Sequence, residues 1–343
     1  MKRIFLTIDT ECHDIKKENQ YIWGIKGPER YGIEKIISIA KEFKIPLNFF
    51  VDIAEAKSYG DVFVKKIIKV IQNNGHKIYL HLHPNYISGD NSRTYLWEYS
   101  FEEQKTILKQ GFEDYLRLTG KKKCAAFRIG RYGANKNMYI ALAELGISTM
   151  DLSYCCNLPK KCKLSFMEIG VYNKPIEYFE QLLIPNTRYI GFDYFGKQKI
   201  YNCDVSEICY GEFVDILKNS GYQNIILTMH SWNLIRKYYF LSDYISGDYQ
   251  MIKKFKKMIQ YAKSNGYVFS DLEAGYKKTT FNYNDDILYN PVKKSIISKL
   301  TFLMYNFERF KKIAIINKRY FTMYLVFYFI IGFAIFTLLL LLF

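Results

Sequence analysis

Short β-branched and aromatic runs alternate with helix-length amphipathic segments along most of this chain. "RIFLTI" predicts a first strand, and Ile33, Ile36, Ile37, Ala40 and Phe43 then recur at the spacing of one helical face. "PLNFFV" predicts a second strand. Val62 to Asn74 reads as a helix with Val62, Phe63, Ile67, Val70 and Ile71 inward, and Gly75 suits its C-terminus. "KIYLHLH" is a third strand, Phe101 to Thr119 a helix, "CAAFRIG" a fourth strand, Lys136 to Leu145 a helix and "STMDLS" a fifth strand. Alternating strand and helix units favour a parallel sheet, either a barrel or a doubly wound sheet.

The pattern loosens between residues 155 and 205, where "FMEIGVY" and "RYIGFDYF" look strand-like. Val205 to Asn219 then reads as a helix, "NIILTMHSW" as a strand, Gln250 to Ser264 as a helix and "YVFSDL" as a last short strand. The first strand runs into "DTECHD", which is acidic and lacks a glycine-rich phosphate loop. That argues against nucleotide binding.

The C-terminal end has a different character. Phe321 to Phe343 is an uncharged apolar run, and a helix of this length would reach about 35 Å, enough for a bilayer core. It is expected to be a single-pass membrane anchor. Before it, Ile296, Ile297, Leu300, Leu303, Met304, Phe307 and Phe310 share one helical face, with Lys and Arg on the others. This segment lies either on anionic lipid headgroups or against the main domain. Basic residues on the N-terminal side of the span, and an opening "MKRIFLTIDTE" whose apolar run is too short for a secretory signal, place the main domain on the cytoplasmic face.

Charge and cysteines refine this picture. The net charge of +16 suggests nucleic acid, but Lys293, Lys294, Lys299, Arg309, Lys311, Lys312, Lys318 and Arg319 crowd the stretch before the span. With no nucleic-acid motif elsewhere, no nucleic-acid partner is expected. The 7 cysteines are odd in number, and Cys155, Cys156 and Cys162 lack C-x-x-C spacing, so free thiols in a reducing compartment are expected.

In parallel α/β folds, functional groups gather at the C-terminal ends of strands. Here those ends carry Asp9, Thr10 and Glu11, then His81 and His83, then Arg128, Asp151 and His230. Carboxylates and imidazoles on one rim suit a divalent cation or a general acid/base pair. His76 lies at the opposite end of its strand and reads as structural, and His13 reads as a solvated loop residue.

"LTIDTE", "GHKIYLHLHP", "FRIGRYG", "MDLS" and "LTMHSW", in this order, resemble the motifs of the polysaccharide deacetylases (the NodB-homology domain, carbohydrate esterase family 4) over about residues 3 to 275. The wording is closest to deacetylase-like proteins of surface-polysaccharide biosynthesis. The resemblance implies an α/β fold, a distorted and incomplete (β/α)7-type barrel, and metal-assisted hydrolytic removal of acetyl groups from a carbohydrate. Its substrate would be an N-acetyl sugar of a surface glycan or its lipid- or nucleotide-linked precursor. Asp9 would be the general base, Arg128 its orienting partner, His230 the general acid, Asp151 the support of His230, and His81 a metal ligand. A backbone N–H near Arg131 or Tyr132 would help hold the oxyanion.

Two positions depart from the family pattern. Thr10 stands where a metal-binding aspartate is usual, and Asn85 where a second metal histidine is usual. Residues two apart in a strand share a face, so Glu11 lies with Asp9 and His83 with His81. Glu11, His81 and His83, with Asn85, are the expected ligands of a divalent ion, zinc in the first instance. A catalytically inactive or metal-independent glycan-binding relative is the alternative. The expected organisation is a barrel over 1–280, a basic amphipathic juxtamembrane segment over 281–320 and a transmembrane anchor over 321–343.

Overall fold

A computed structural model describes residues 1–192, 197–238, 241–276 and 286–291, together with Val326. Its centre is a 9-stranded sheet made of β1 (Lys2–Thr10), β2 (Asn48–Asp52), β3 (Lys77–Leu82), β4 (Ala126–Ile129), β5 (Met150–Asp151), β6 (Ile176–Tyr178), β7 (Gln181–Leu183), β8 (Asn224–His230) and β9 (Tyr267–Phe269). The spatial order is β8-β1-β2-β3-β4-β5-β7-β6, and β9 pairs with the start of β1. All pairs are parallel except β6 with β7. The fold is α/β as expected, and its sheet curls into an open half barrel.

The strands alternate between two buried faces, as a sheet covered on both sides must. Ile4, Leu6 and Ile8 join the large outer core under the helices, whereas Phe5 joins Phe50, Tyr79, Ala126 and Ile226 in a small inner core. Going up β1, the inward positions are Phe5, Thr7 and Asp9, so an apolar floor gives way to polar and then charged groups. The same change runs up β3 through Tyr79 and His81, and up β4 from Ala126 to Arg128.

The outer layer contains α1 (Ile33–Phe43), α2 (Asp61–Asn73), α3 (Phe101–Thr119), α4 (Lys136–Glu144), α5 (Tyr210–Asn219) and α6 (Tyr249–Ser264). α3 begins at a reciprocal cap: Ser100 N–H donates to Glu103 Oε2 at 2.8 Å and Glu103 N–H to Ser100 Oγ at 3.4 Å. All seven cysteines are free.

Several expectations change. "FMEIGVY" forms a short helix, Phe166–Ile169, because Ser165 caps its start. Arg188–Phe192 is a strand, but it pairs antiparallel with Gln198–Asn202 outside the main sheet. Residues 286–291, expected in a juxtamembrane segment, dock on the domain: Asp286 Oδ1 accepts from Tyr172 N–H at 2.7 Å, and Ile190 N–H donates to Tyr289 O at 2.8 Å.

The expected transmembrane helix and single-pass membrane location are corrected. Among the described residues no helix is long and apolar enough to cross a membrane. The long helices that are present each carry a charged face, as helices packed on one side of a sheet do. The run 321–343 on which the expectation rested lies, apart from Val326, outside the described residues.

Buried Asn48 ties three strand regions together. Its Nδ2 donates to Leu6 O at 3.1 Å and to Ser270 O at 3.2 Å, and its Oδ1 accepts from Leu272 N–H at 2.9 Å. Asn48→Ala strands three buried backbone groups, so urea unfolding should show a loss of about 3 kcal/mol, and Asn48→Asp, whose second carboxylate oxygen would face the Leu6 and Ser270 carbonyls, should cost at least as much.

Candidate metal centre and active site

Sheet register assembles the rim. Asp9 pairs with His230 on one side of β1, Asp52 pairs with His81, and His81 with Arg128. Five strands thus bring their polar ends to one place. Glu11 follows directly on β1, and His83 directly on β3.

Glu11 is the centre of the arrangement. It is 5% exposed, and four of the chain's five histidines face its carboxylate. His83 Nε2 lies 2.6 Å and His81 Nε2 3.4 Å from Glu11 Oε2. His13 Nε2 lies 3.3 Å and His230 Nε2 3.8 Å from Glu11 Oε1. Burial pushes the Glu11 carboxyl up, but His83, His13 and His81 outweigh it and hold it well below its usual range. Burial keeps His83 below the usual histidine value. For His81 burial is outweighed by Asp9, Glu11 and Asp52, which push it up to about 9.

The ligand atoms are directed as well as close. His81 Nδ1–H donates to Arg128 O at 3.0 Å, which leaves Nε2 to face Glu11. His83 has room only because residue 130 is glycine: a Cβ there would sit 2.5 Å from His83 Cδ2. Its backbone N–H donates to Asp52 Oδ1 at 3.4 Å. One nitrogen from each of His81 and His83 and one oxygen from Glu11 all fall within 4.8 Å of one another. Glu11 Oε2 and His83 Nε2 are buried without a well-directed hydrogen bond, a costly state that a cation between them would relieve. Two imidazoles and a carboxylate are a ligand set that divalent metals use. These residues therefore fit a metal ion.

Beside this group Asp9 and Arg128 form a buried ion pair. Arg128 Nη2 also donates to Thr7 Oγ1 at 3.1 Å and to Asn186 Oδ1 at 3.2 Å, and its guanidinium lies 4.5 Å over the Phe50 ring. The side chain therefore has one available orientation, with its charge against Asp9. His230 is about one-third exposed, and its ring stacks on Trp232 at 4.6 Å.

Other expected residues lie apart. Asp151 is fully buried and accepts from Tyr139 Oη at 2.7 Å and from Ser153 N–H at 3.2 Å, with no contact to His230 among the described residues. Burial pushes its carboxyl up to about 6, and the Ser153 and Tyr139 bonds pull the other way. Asn85 stands in a short helix, Pro84–Ser88, and donates to Asn91 Oδ1 at 3.3 Å. Thr10 turns its hydroxyl back to Ile8 O at 3.4 Å. His76 is at the other end of β3, its ring 6.0 Å from that of Phe49.

Asp52, Glu55 and Asn186 join the site without having been read from the sequence. Asp52 closes β2, so the strand-end rule that found Asp9 and Arg128 reaches it too. Burial pushes its carboxyl well above the usual range, and Glu55 adds to this. Glu55 ends a short 3-10 turn and Asn186 lies in a loop, with no motif around either. His13, read as a solvated loop residue, is instead against Glu11.

No protein-family model and no curated protein matches this chain. Solved structures do. A protein from Mycobacterium smegmatis described as a polysaccharide deacetylase is 15% identical, with 82% of this chain and 92% of that one covered at a TM-score of 0.46. A polysaccharide deacetylase from Bacillus cereus is 15% identical over 82% and 97% of the two chains, at a TM-score of 0.40. A CE4 family pseudoenzyme from Bacillus anthracis is 12% identical at a TM-score of 0.43, with 80% of this chain covered. The chain spans only 64% of that pseudoenzyme's length, less than two thirds. At this distance the chemistry has to come from the chain's own residues.

The tightest of the local constraints is at Gly130. Gly130→Ala should displace the His83 ring and cost about 1–3 kcal/mol in urea unfolding. Gly133→Ala, whose Cβ would approach Leu96 N no closer than 3.1 Å, should cost less.

Proposed function

We propose that this chain is a metal-assisted carbohydrate deacetylase. One observation carries the reading: a buried Glu11, His81 and His83 group lies beside a carboxylate, Asp9, that Arg128 holds in place. A divalent cation on Glu11, His81 and His83, zinc by the match of its usual ligands, would supply Lewis acidity toward an acetyl carbonyl. Asn85, bonded to Asn91, stands outside this ligand set.

The remaining roles belong to the chain itself. Asp9 takes the proton of the attacking water. Arg128 fixes the Asp9 carboxylate in a buried ion pair. His230, whose Nε2 faces the site while its ring is partly open, delivers a proton to the leaving sugar nitrogen. The backbone N–H groups of Arg131 and Tyr132, both at φ +56°, are the donors for the developing oxyanion. Asp151 acts at one remove: Ser153 donates to it and accepts from Ile129 N–H at 2.8 Å, which steadies the strand end that carries Arg128.

The substrate class is an N-acetylated sugar, and free, nucleotide-linked and lipid-linked forms make up the panel to screen. Acetate release should fall by about 10²–10⁴-fold in kcat for both Asp9→Asn and His230→Ala. Unchanged rates in both would reject the assigned roles. Glycan binding with no turnover on the whole panel and no stoichiometric zinc would favour the non-catalytic glycan-binding reading, which Thr10 and Asn85 motivate.

Metal binding should also release a proton. Without metal, His81 is protonated up to about pH 9, and a ligand nitrogen has to be free of its proton. Calorimetry at pH 7 in buffers of differing ionisation enthalpy should show about one proton released per ion. The release should vanish above pH 9. Release of none at pH 7 would reject a His81 that is both protonated in the metal-free chain and a ligand.

A further inference from the structure

Glu55 is a buried carboxylate with an unusual use. It ends the 3-10 turn Ile53–Glu55 after β2 and is 1% exposed. Its Oε1 accepts from both Cys12 N–H, at 2.5 Å, and His13 N–H, at 3.0 Å. A loop turn needs only a serine or asparagine oxygen for such a cap, and burying a carboxylate for it is costly. The turn it holds is itself strained. His13 is at φ +58°, a region that residues other than glycine rarely occupy.

The strained turn has one visible result. It sets the His13 imidazole 3.3 Å from Glu11 Oε1, while His81 and His83 face the other oxygen. The ring is packed there: Tyr21 and Trp232 each lie 5.5 Å from it and His83 lies 5.6 Å away, centroid to centroid. Metal-bound carboxylates are commonly steadied by a partner on the oxygen that does not bind the ion.

We propose that Glu55 and His13 are positioning residues of the metal centre. Glu55 clamps the Cys12–His13 turn, His13 engages Oε1 of Glu11, and Oε2 is thereby presented to the ion shared with His81 and His83. The inference rests on the metal-centre reading above and adds to it two residues that touch neither the ion nor the substrate. Without the clamp, the Glu11 carboxylate would have to be ordered at the moment the metal binds, at a cost in affinity.

Two measurements on the full chain test this. The first is zinc affinity by competition with a chromophoric chelator. Glu55→Ala and His13→Asn should each weaken binding by about 10–100-fold. Asn is chosen because it tolerates the left-handed backbone while withdrawing the imidazole. Glu55→Gln keeps an oxygen acceptor and should stay within about threefold of wild type. The second is metal-free thermal unfolding. Glu55→Ala should lower Tm clearly in the wild-type background and distinctly less in a His13→Gly background, where glycine adopts the positive φ unaided.

Wild-type zinc affinity in both Glu55→Ala and His13→Asn would overturn the positioning role. An equal Tm loss in the two backgrounds would overturn the clamp. If the wild-type chain binds no zinc, the metal-centre reading fails together with the positioning role, and the unfolding cycle still decides the clamp. Should Glu55→Ala not fold, His13→Asn and Glu55→Gln carry the affinity comparison.

Discussion

A carboxylate at 5% exposure cannot keep its charge unaided, because burial alone would protonate it. Glu11 keeps its charge because imidazoles face both of its oxygens. Asp9 is partnered by Arg128 in a buried ion pair. The rest of the site follows from satisfying these two carboxylates separately. Arg128 is held toward Asp9 by Thr7, Asn186 and Phe50, so its charge is committed there. Glu11 is left to the histidines, the one partner type that also serves as a metal ligand.

The curled sheet makes this separation possible. Asp9 is level with Phe50 on β2, whereas Asp52, two residues further on, is level with His81 on β3. The polar row therefore climbs by one inward-facing position between β1 and β3, the stagger expected of strands that tilt around a barrel. Through this pairing Asp9 is level with Tyr79, and His81 stands one inward-facing position higher. Here the histidine level is raised toward Glu11, at the point where the chain leaves β1.

Much of this was legible in the sequence because strand ends carry chemistry by position. "LTIDTE", "LHLHP", "FRIGRYG" and "LTMHSW" each end a strand, and a period of two is enough to place Glu11 with Asp9 and His83 with His81. What was not legible was tertiary. Glu55 meets Cys12 and His13 across 43 and 42 residues of sequence. Nothing in "HDI" announces a left-handed residue. Asp151 carries a motif, but its side-chain partners depend on how α4 brings Tyr139 over β5. Hydropathy misled in a different way. An uncharged run states how long and how apolar a segment is, not which elements a chain forms, and no described helix is a span.

Two positions, Thr10 and Asn85, follow from the same terms. Thr10 is buried with its hydroxyl on Ile8 O, so a ligand at that position would have to turn against the alternation of β1. Moving the carboxylate to residue 11 places it beyond the last paired position of the strand, where the backbone is no longer fixed by the ladder. A glutamate there has one methylene more reach than an aspartate. On the other strand, residue 85 has entered a helix that Pro84 begins, which carries Asn85 toward Asn91. His83, the last residue before that helix, still faces inward, and Gly130 leaves space for its ring. Glu11 and His83 thus each sit at the first position outside their strands, and Glu55, acting on the two residues after Glu11, supplies the order that the strand no longer provides.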